Sequence, residues 1–167
     1  MNNKFENIIL TMCGVGYFKF AQGTLASLIT CIIFYLFWII FGLKDYQIPI
    51  YVFLILLSIY STILINKIYG TEDSKEIVID EFIGQSIPIL SWYYVGNNLN
   101  ELIFNYIITF EIWILLSFLL FRFFDILKPF PINLIDKKIK NGFGVVFDDV
   151  VAGIYSTITL YIIFSWF

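Results

Sequence analysis

Four long apolar stretches leave this chain little choice of solvent. Residues 20–43 and 46–66 carry no charge, residues 102–121 carry only Glu111, and residues 150–167 are again charge-free. A membrane-crossing helix needs about 20 mostly apolar residues, so each stretch is long enough to cross. The first helix is expected to start near Thr24, and the last stretch can be extended back through Asp148. Composition agrees: 60% of residues are hydrophobic and 14% charged, against about 45–50% and about 25% in soluble domains. The expected fold is therefore an all-α, polytopic membrane helix bundle. A length of 167 residues suits one domain, 1–167, and leaves no room for a second.

A fifth segment, residues 82–100, is less regular because it holds Gln85, Pro88 and Gly96. Only Ile77–Val95 would span, with Asp80 and Glu81 at its entrance. The distribution of basic residues decides whether it crosses, since cytoplasmic loops concentrate Lys and Arg. With five crossings, Lys4, Lys19, Lys67, Lys75, Arg122, Lys128, Lys137, Lys138 and Lys140 share one side and only Lys44 lies on the other. Without the fifth crossing the same charges split almost evenly. The expected topology is thus five segments with a cytoplasmic N-terminus, an outer turn at Asn97-Asn98 and an outer C-terminus. Asp80, Glu81, Asp125, Asp148 and Asp149 then all fall at the cytoplasmic face.

Several chemistries are excluded. The chain has no histidine, so His-ligated zinc sites, Ser-His-Asp triads and phosphohistidine mechanisms are out. Cys13 and Cys31 sit in apolar context without a C-x-x-C or a C-x5-R pattern, and read as packing residues. Nothing in the first residues reads as a cleaved signal peptide: Glu6 interrupts the basic start and no A-x-A site follows. No basic stripe is present to neutralise the phosphates of a nucleic acid.

What remains is carboxylate chemistry. Ionisable residues at membrane depth are costly and mark functional sites. Two acidic pairs, Asp80-Glu81 and Asp148-Asp149, each open an apolar segment. Either pair could simply favour a helix N-terminus. Two pairs at one membrane level point instead to a divalent cation held by hard oxygen ligands, Mg²⁺ or Mn²⁺. Arg122, Asp125 and Lys128 recur every three residues and share one helix face, with Glu111 three turns earlier on nearly the same side. Arg122 and Lys128 fit a phosphate grip, although basic residues at a helix end also snorkel to headgroups. Lys19, within the glycine-bearing stretch Gly14-Val15-Gly16 to Gln22-Gly23-Thr24, adds a third candidate, with Thr24 as either an anion contact or an N-cap. After Lys128, Pro129 and Pro131 must end the helix. The following Ile132–Ile139 is amphipathic and fits the headgroup layer.

These motifs resemble the phosphatidylglycerophosphatase A family. The matching stretches are Gly14-Val15-Gly16 through Gly23-Thr24-Leu25-Ala26-Ser27-Leu28, Ile77 through Gln85, Arg122 through Ile132, and Gly142 through Gly153. They stand in the family's order, with two departures: Gln22 where proline usually precedes Gly-Thr, and Asn141 where a glycine is common. The resemblance implies a bacterial enzyme of the cytoplasmic membrane that removes the terminal phosphate of an anionic phospholipid, phosphatidylglycerophosphate, with Mg²⁺. On this reading Asp80, Glu81, Asp125 and Asp149 are catalytic, and Asp80, Glu81, Asp148 and Asp149 hold metal. Lys19, Thr24, Arg122 and Lys128 hold phosphate. The expected reaction is in-line attack of water on phosphorus, with one carboxylate as base and the cationic side chains stabilising phosphoryl charge. The alternatives are a phosphatase for another phospholipid, a small cation or solute transporter using the acidic cluster, and a structural assembly subunit. A transporter should carry charges near the midplane, where only Glu111 qualifies, and a structural subunit has no use for five acids on one face. Oligomeric state is left open by the sequence.

Overall fold

The computed structural model describes residues 4–42, 44–70, 74–96 and 109–165. Among them are seven α-helices and no strand: α1 (Lys4–Leu10), α2 (Gln22–Phe41), α3 (Gln47–Ile68), α4 (Ile79–Leu90), α5 (Phe110–Leu127), α6 (Ile132–Lys138) and α7 (Gly142–Ser165). The expected outer turn at Asn97-Asn98 and the first residues of the stretch 102–121 lie outside the described residues.

Three helices, α2, α3 and α7, are long and apolar enough to cross a membrane. Their 20, 22 and 24 residues correspond to roughly 30, 33 and 36 Å at helical rise. Their outer faces are bare: Ile32, Leu36 and Ile40 on α2 and Phe53, Leu56 and Ile63 on α3 are exposed. Contiguous apolar surface on this scale is foreign to a monomer in water and suited to acyl chains.

The shorter α4 is the hub. Nine of its 12 residues are buried, and it packs against α2, α3, α5 and above all α7. It differs from the expected segment Ile77–Val95. The α-helix stops at Leu90 and passes through Ser91 into a π-turn, Trp92–Gly96. Pro88 weakens the helix just before this point, because it cannot donate to the Gly84 carbonyl and its ring crowds the preceding turn. The freed geometry is put to use: Pro88 carbonyl oxygen accepts from Trp113 Nε1 at 2.8 Å and from Ser91 Oγ at 2.7 Å.

Contacts fix the directions of the helices. Gly23 faces Glu81, and Cys31 shares a core cluster with Ile89, so α2 runs parallel to α4. Gly84 lies against Asp149 and Phe121, Gly153 against Ile87, and Trp113 reaches Pro88; α7 is therefore parallel to α4 and α5 antiparallel. Gly142 packs on Thr62 and takes a 2.7 Å bond from its N–H to Asn66 Oδ1, setting α3 against α7. The starts of α2, α4 and α7 and the ends of α3 and α5 thus meet at one end of the bundle.

Three expectations change here. Helix α2 begins at Gln22, with Ala21 in the left-handed region at φ 51°, so Thr24 lies inside the first turn and is not the N-cap. The Gln22 side chain reaches back to Gly16 carbonyl oxygen at 3.1 Å and anchors that earlier start. Helix α7 begins at Gly142, so Asp148 and Asp149 lie two turns inside it, beyond the reach of a helix-end dipole. Glu111 is exposed in the first turn of α5 and does not line the interior. Gly16 and Gly144 are pressed against the carbonyls of Glu76 and Ile139 and serve close packing. Helix α5 ends as expected, at a left-handed Lys128 ahead of Pro129.

Candidate active site

At the shared end of the bundle is a cavity of about 220 Å³. Its inner wall is Gln22 and Gly23 from α2, Asp80 and Glu81 from α4, Asp125 and Lys128 from the end of α5, and Asp148 and Asp149 from α7. Asp136, Lys75 and Lys140 complete its outer part. Residues spread from position 22 to position 149 converge because α2, α4 and α7 begin and α3 and α5 end here.

The deepest feature is a trio of carboxylates. One oxygen each from Asp80, Glu81 and Asp149 lie within 4.8 Å of one another. Asp80 is 9% exposed and Asp149 4%. Asp80 Oδ1 and Glu81 Oε2 are buried with no hydrogen-bond partner among the described residues. Unpaired buried carboxylates are among the costliest arrangements in a protein. Like charges this close resist joint ionisation unless a cation joins them. The donor set is all oxygen, which suits Mg²⁺ or Mn²⁺.

Around the trio the cations are already engaged. Arg122 Nη1 lies 2.6 Å from Asp125 Oδ2, one turn along the same helix. The approach is close but poorly aligned, since Nη1 and Nε lack a properly angled acceptor. We read this pair as an electrostatic contact and not a formed hydrogen bond, because angle matters as much as distance. Lys128 Nζ bridges Asp148 Oδ2 at 2.5 Å and Asp136 Oδ1 at 3.0 Å. Burial alone would lower the lysine pKa, but the two carboxylates outweigh it and hold the ammonium above its ordinary value. Lys128 is therefore a firm positive charge. Gly23 leaves room for this arrangement: a Cβ there would displace the Glu81 carboxylate and come within 3.2 Å of Arg122 Nη1.

The residues expected from sequence separate into groups. Asp80, Glu81 and Asp149 come together as the trio. Asp125 and Lys128 line the same cavity, and Arg122 stands beside it through Asp125 and Gly23. Asp148 lines the cavity but turns its carboxylate to Lys128. Lys19 is exposed, Thr24 is half-buried, and neither lines the cavity. Asp136, Lys75 and Lys140 were missed. Asp136 sits on the polar side of the amphipathic stretch, a position that reads as solvent-facing until α6 folds back under Lys128. Six carboxylates, Asp80, Glu81, Asp125, Asp136, Asp148 and Asp149, thus face two inner cations, with Lys75 and Lys140 at the rim.

A family model described as Phosphatidylglycerophosphatase A matches residues 8–164. Phosphatidylglycerophosphatase A of Haemophilus influenzae is 44% identical over 102 residues, covering 58% of this chain and 51% of that protein. This alignment spans about half the relative's length. Phosphatidylglycerophosphatase A of Escherichia coli is 29% identical over 157 residues, covering 90% of this chain and 78% of the relative. A candidate phosphatidylinositol-3-phosphatase of Bacteroides thetaiotaomicron is 29% identical over 161 residues, covering 92% and 89%. No solved structure matches significantly. With a family match running over residues 8–164, the chain belongs to the phosphatidylglycerophosphatase A family and, with it, to the phosphoric monoester hydrolases.

Proposed function

We propose that the chain hydrolyses phosphatidylglycerophosphate to phosphatidylglycerol and inorganic phosphate, with Mg²⁺, at the cytoplasmic face of the bacterial inner membrane. The observation that carries the reading is the buried trio Asp80, Glu81 and Asp149, with oxygens left unpartnered beside a polar cavity. These three residues would hold the cation. When bound, it offsets their repulsion and neutralises phosphoryl charge. The chain's own groups do the rest. A carboxylate of the trio or Asp125 accepts the proton of the attacking water. Arg122 and Lys128, held in place by Asp125 and by Asp148 with Asp136, stabilise the phosphoryl oxygens. Lys75 and Lys140 at the rim attract the anionic headgroup. Lys19 and Thr24 have no part in this arrangement.

The test is phosphate release in mixed detergent micelles, with Mg²⁺ or with a chelator. We expect release from phosphatidylglycerophosphate with Mg²⁺ or Mn²⁺ and loss of it with chelator. Release that continues unchanged in chelator refutes the cation. A second reading, another phospholipid monoester as substrate, has the name of the Bacteroides relative in its favour. Phosphatidylinositol 3-phosphate in the same assay decides between them.

Five membrane segments and a cytoplasmic N-terminus belong to the same proposal. The alternating directions of α2, α3, α4, α5 and α7 support it, as does the clustering of charge at one end. The exposed Cys13 is first replaced by serine. Single cysteines at Lys140 and Asn98 are then labelled with an impermeant reagent in intact cells. We expect label at 98 and none at 140; label at 140 overturns the orientation.

A further inference from the structure

One layer deeper than the trio, the bundle buries polar atoms that the reaction above does not use. Gln85 is fully buried on α4, one turn beyond Glu81, and both its Oε1 and its Nε2 lack a partner among the described residues. Ser117 on α5 is also fully buried, with its Oγ unpartnered. The layers on either side fix where these residues lie. Outward, Gly23, Glu81 and Arg122 are in contact. Inward, Trp113 donates to Pro88. Gln85 lies between Glu81 and Pro88 on α4, and Ser117 lies between Trp113 and Arg122 on the antiparallel α5.

The side chain of a helical residue leans toward the helix N-terminus, and residues four apart are neighbours on the surface of a helix. Gln85 therefore leans toward Glu81. Glu81 Oε2 and Arg122 Nε are themselves buried and unpartnered. Where this layer meets the one outward of it there are two donors, Gln85 Nε2 and Arg122 Nε, two acceptors, Gln85 Oε1 and Glu81 Oε2, and one hydroxyl able to serve as either. Buried polar atoms in native proteins are almost always satisfied by protein or by ordered water. A water needs a polar site with two to four partners, and this layer supplies them.

We propose that Gln85 and Ser117 form a buried water site beneath Glu81 and Arg122, and that Gln85 is a positioning residue holding the Glu81 carboxylate toward Asp80 and Asp149. Groups that orient metal-binding carboxylates in this way typically change metal affinity or activity by about 10–100-fold when removed. The inference rests on the reading of Asp80, Glu81 and Asp149 as a cation site.

Gln85→Met tests it, because the thioether keeps length and flexibility while removing donor and acceptor. Losing Gln85 leaves the proposed water and the buried atoms around it with fewer partners, which costs some stability whatever the role; Mn²⁺ affinity separates the two, because a merely structural residue would lower Tm and leave that affinity unchanged. Three quantities are measured on purified protein in micelles: Mn²⁺ affinity without lipid, kcat and KM for phosphatidylglycerophosphate, and Tm in chelator. We expect Mn²⁺ affinity and kcat to fall about tenfold or more, KM to move little, and Tm in chelator to fall modestly. Ser117→Ala should lower the same two quantities by less, and the double variant should lose no more than Gln85→Met alone, since both act on one site. Wild-type Mn²⁺ affinity in Gln85→Met overturns the inference, whatever the change in Tm. If Gln85→Met does not accumulate, Ser117→Ala decides by the same readings. The Mn²⁺ titration needs no substrate, so it tests Gln85 even if wild-type protein releases no phosphate from this lipid. Wild-type protein that binds no Mn²⁺ refutes the cation site itself.

Discussion

Asp149→Asn is expected to release phosphate at least about a hundredfold more slowly than the wild-type protein, a loss of about 2.7 kcal/mol or more in transition-state stabilisation. The amide keeps the shape of the carboxyl and removes one charge from the trio. Asp149 is 4% exposed and its oxygen lies within 4.8 Å of those of Asp80 and Glu81, so neither solvent nor a neighbouring acid can replace it. Folding should not suffer, because the substitution relieves repulsion among buried carboxylates. Two thermal measurements separate these effects. In chelator, Asp149→Asn should melt no lower than wild type. With Mg²⁺ added, wild type should rise, because a ligand bound only to the native state stabilises it, and the variant should not. Asp80→Asn should behave alike. Asp148→Asn should lose less, since that carboxylate engages Lys128, which keeps Asp136 as a partner. Near-wild-type turnover in both Asp80→Asn and Asp149→Asn would end the assignment of the trio as the cation site.

Much of this site was legible in the sequence, for a physical reason. Lipid tolerates few charges, so each charge near an apolar run is informative, and Asp80, Glu81, Asp125 and Asp149 could be picked out by their cost alone. The grouping of charges at one end followed from the distribution of lysines. Distances along a helix were also legible: Arg122, Asp125 and Lys128 share a face because of periodicity, and Arg122 and Asp125 do pair. Contacts between helices were not. Nothing in the sequence tells that Lys128 reaches twenty residues forward to Asp148, or that α6 folds Asp136 beneath it. Helix starts were misjudged where no capping side chain announces them. Ala21 opens α2 in a left-handed conformation, and glycine opens α7 eight residues before the charge-free stretch begins. Glu111 does share the side of Arg122 by periodicity, but it stands in the first turn of α5, where that side is exposed; periodicity gives the face and not what covers it.

Gly84→Ala is expected to cost about tenfold or more in activity, and Gly84→Val to leave no folded enzyme. Helices α4 and α7 bring the trio together, α4 contributing Asp80 and Glu81 and α7 contributing Asp149. Their separation is set where two glycines meet. A Cβ at Gly84 would lie 2.6 Å from Asp149 carbonyl oxygen and 2.7 Å from Phe121 Cε2. A Cβ on Gly153 would collide with Gly84 carbonyl oxygen. Neither backbone nor a fully buried Phe121 can yield as a flexible side chain would, so the helices must part. Small residues at helix contacts are the means by which membrane helices approach closely, and overpacking a close contact costs about 1–3 kcal/mol. The displaced atom belongs to Asp149 itself, so the strain falls directly on a cation ligand. Gly84→Ala should therefore lower both Tm and Mn²⁺ affinity, and Gly153→Ala should do the same from the other helix. This joint loss sets the glycines apart from Asp149→Asn, which should lose affinity and hold Tm. Full activity and full stability in Gly84→Ala would show that α4 and α7 are not in contact at these glycines and that the trio is not assembled by their crossing.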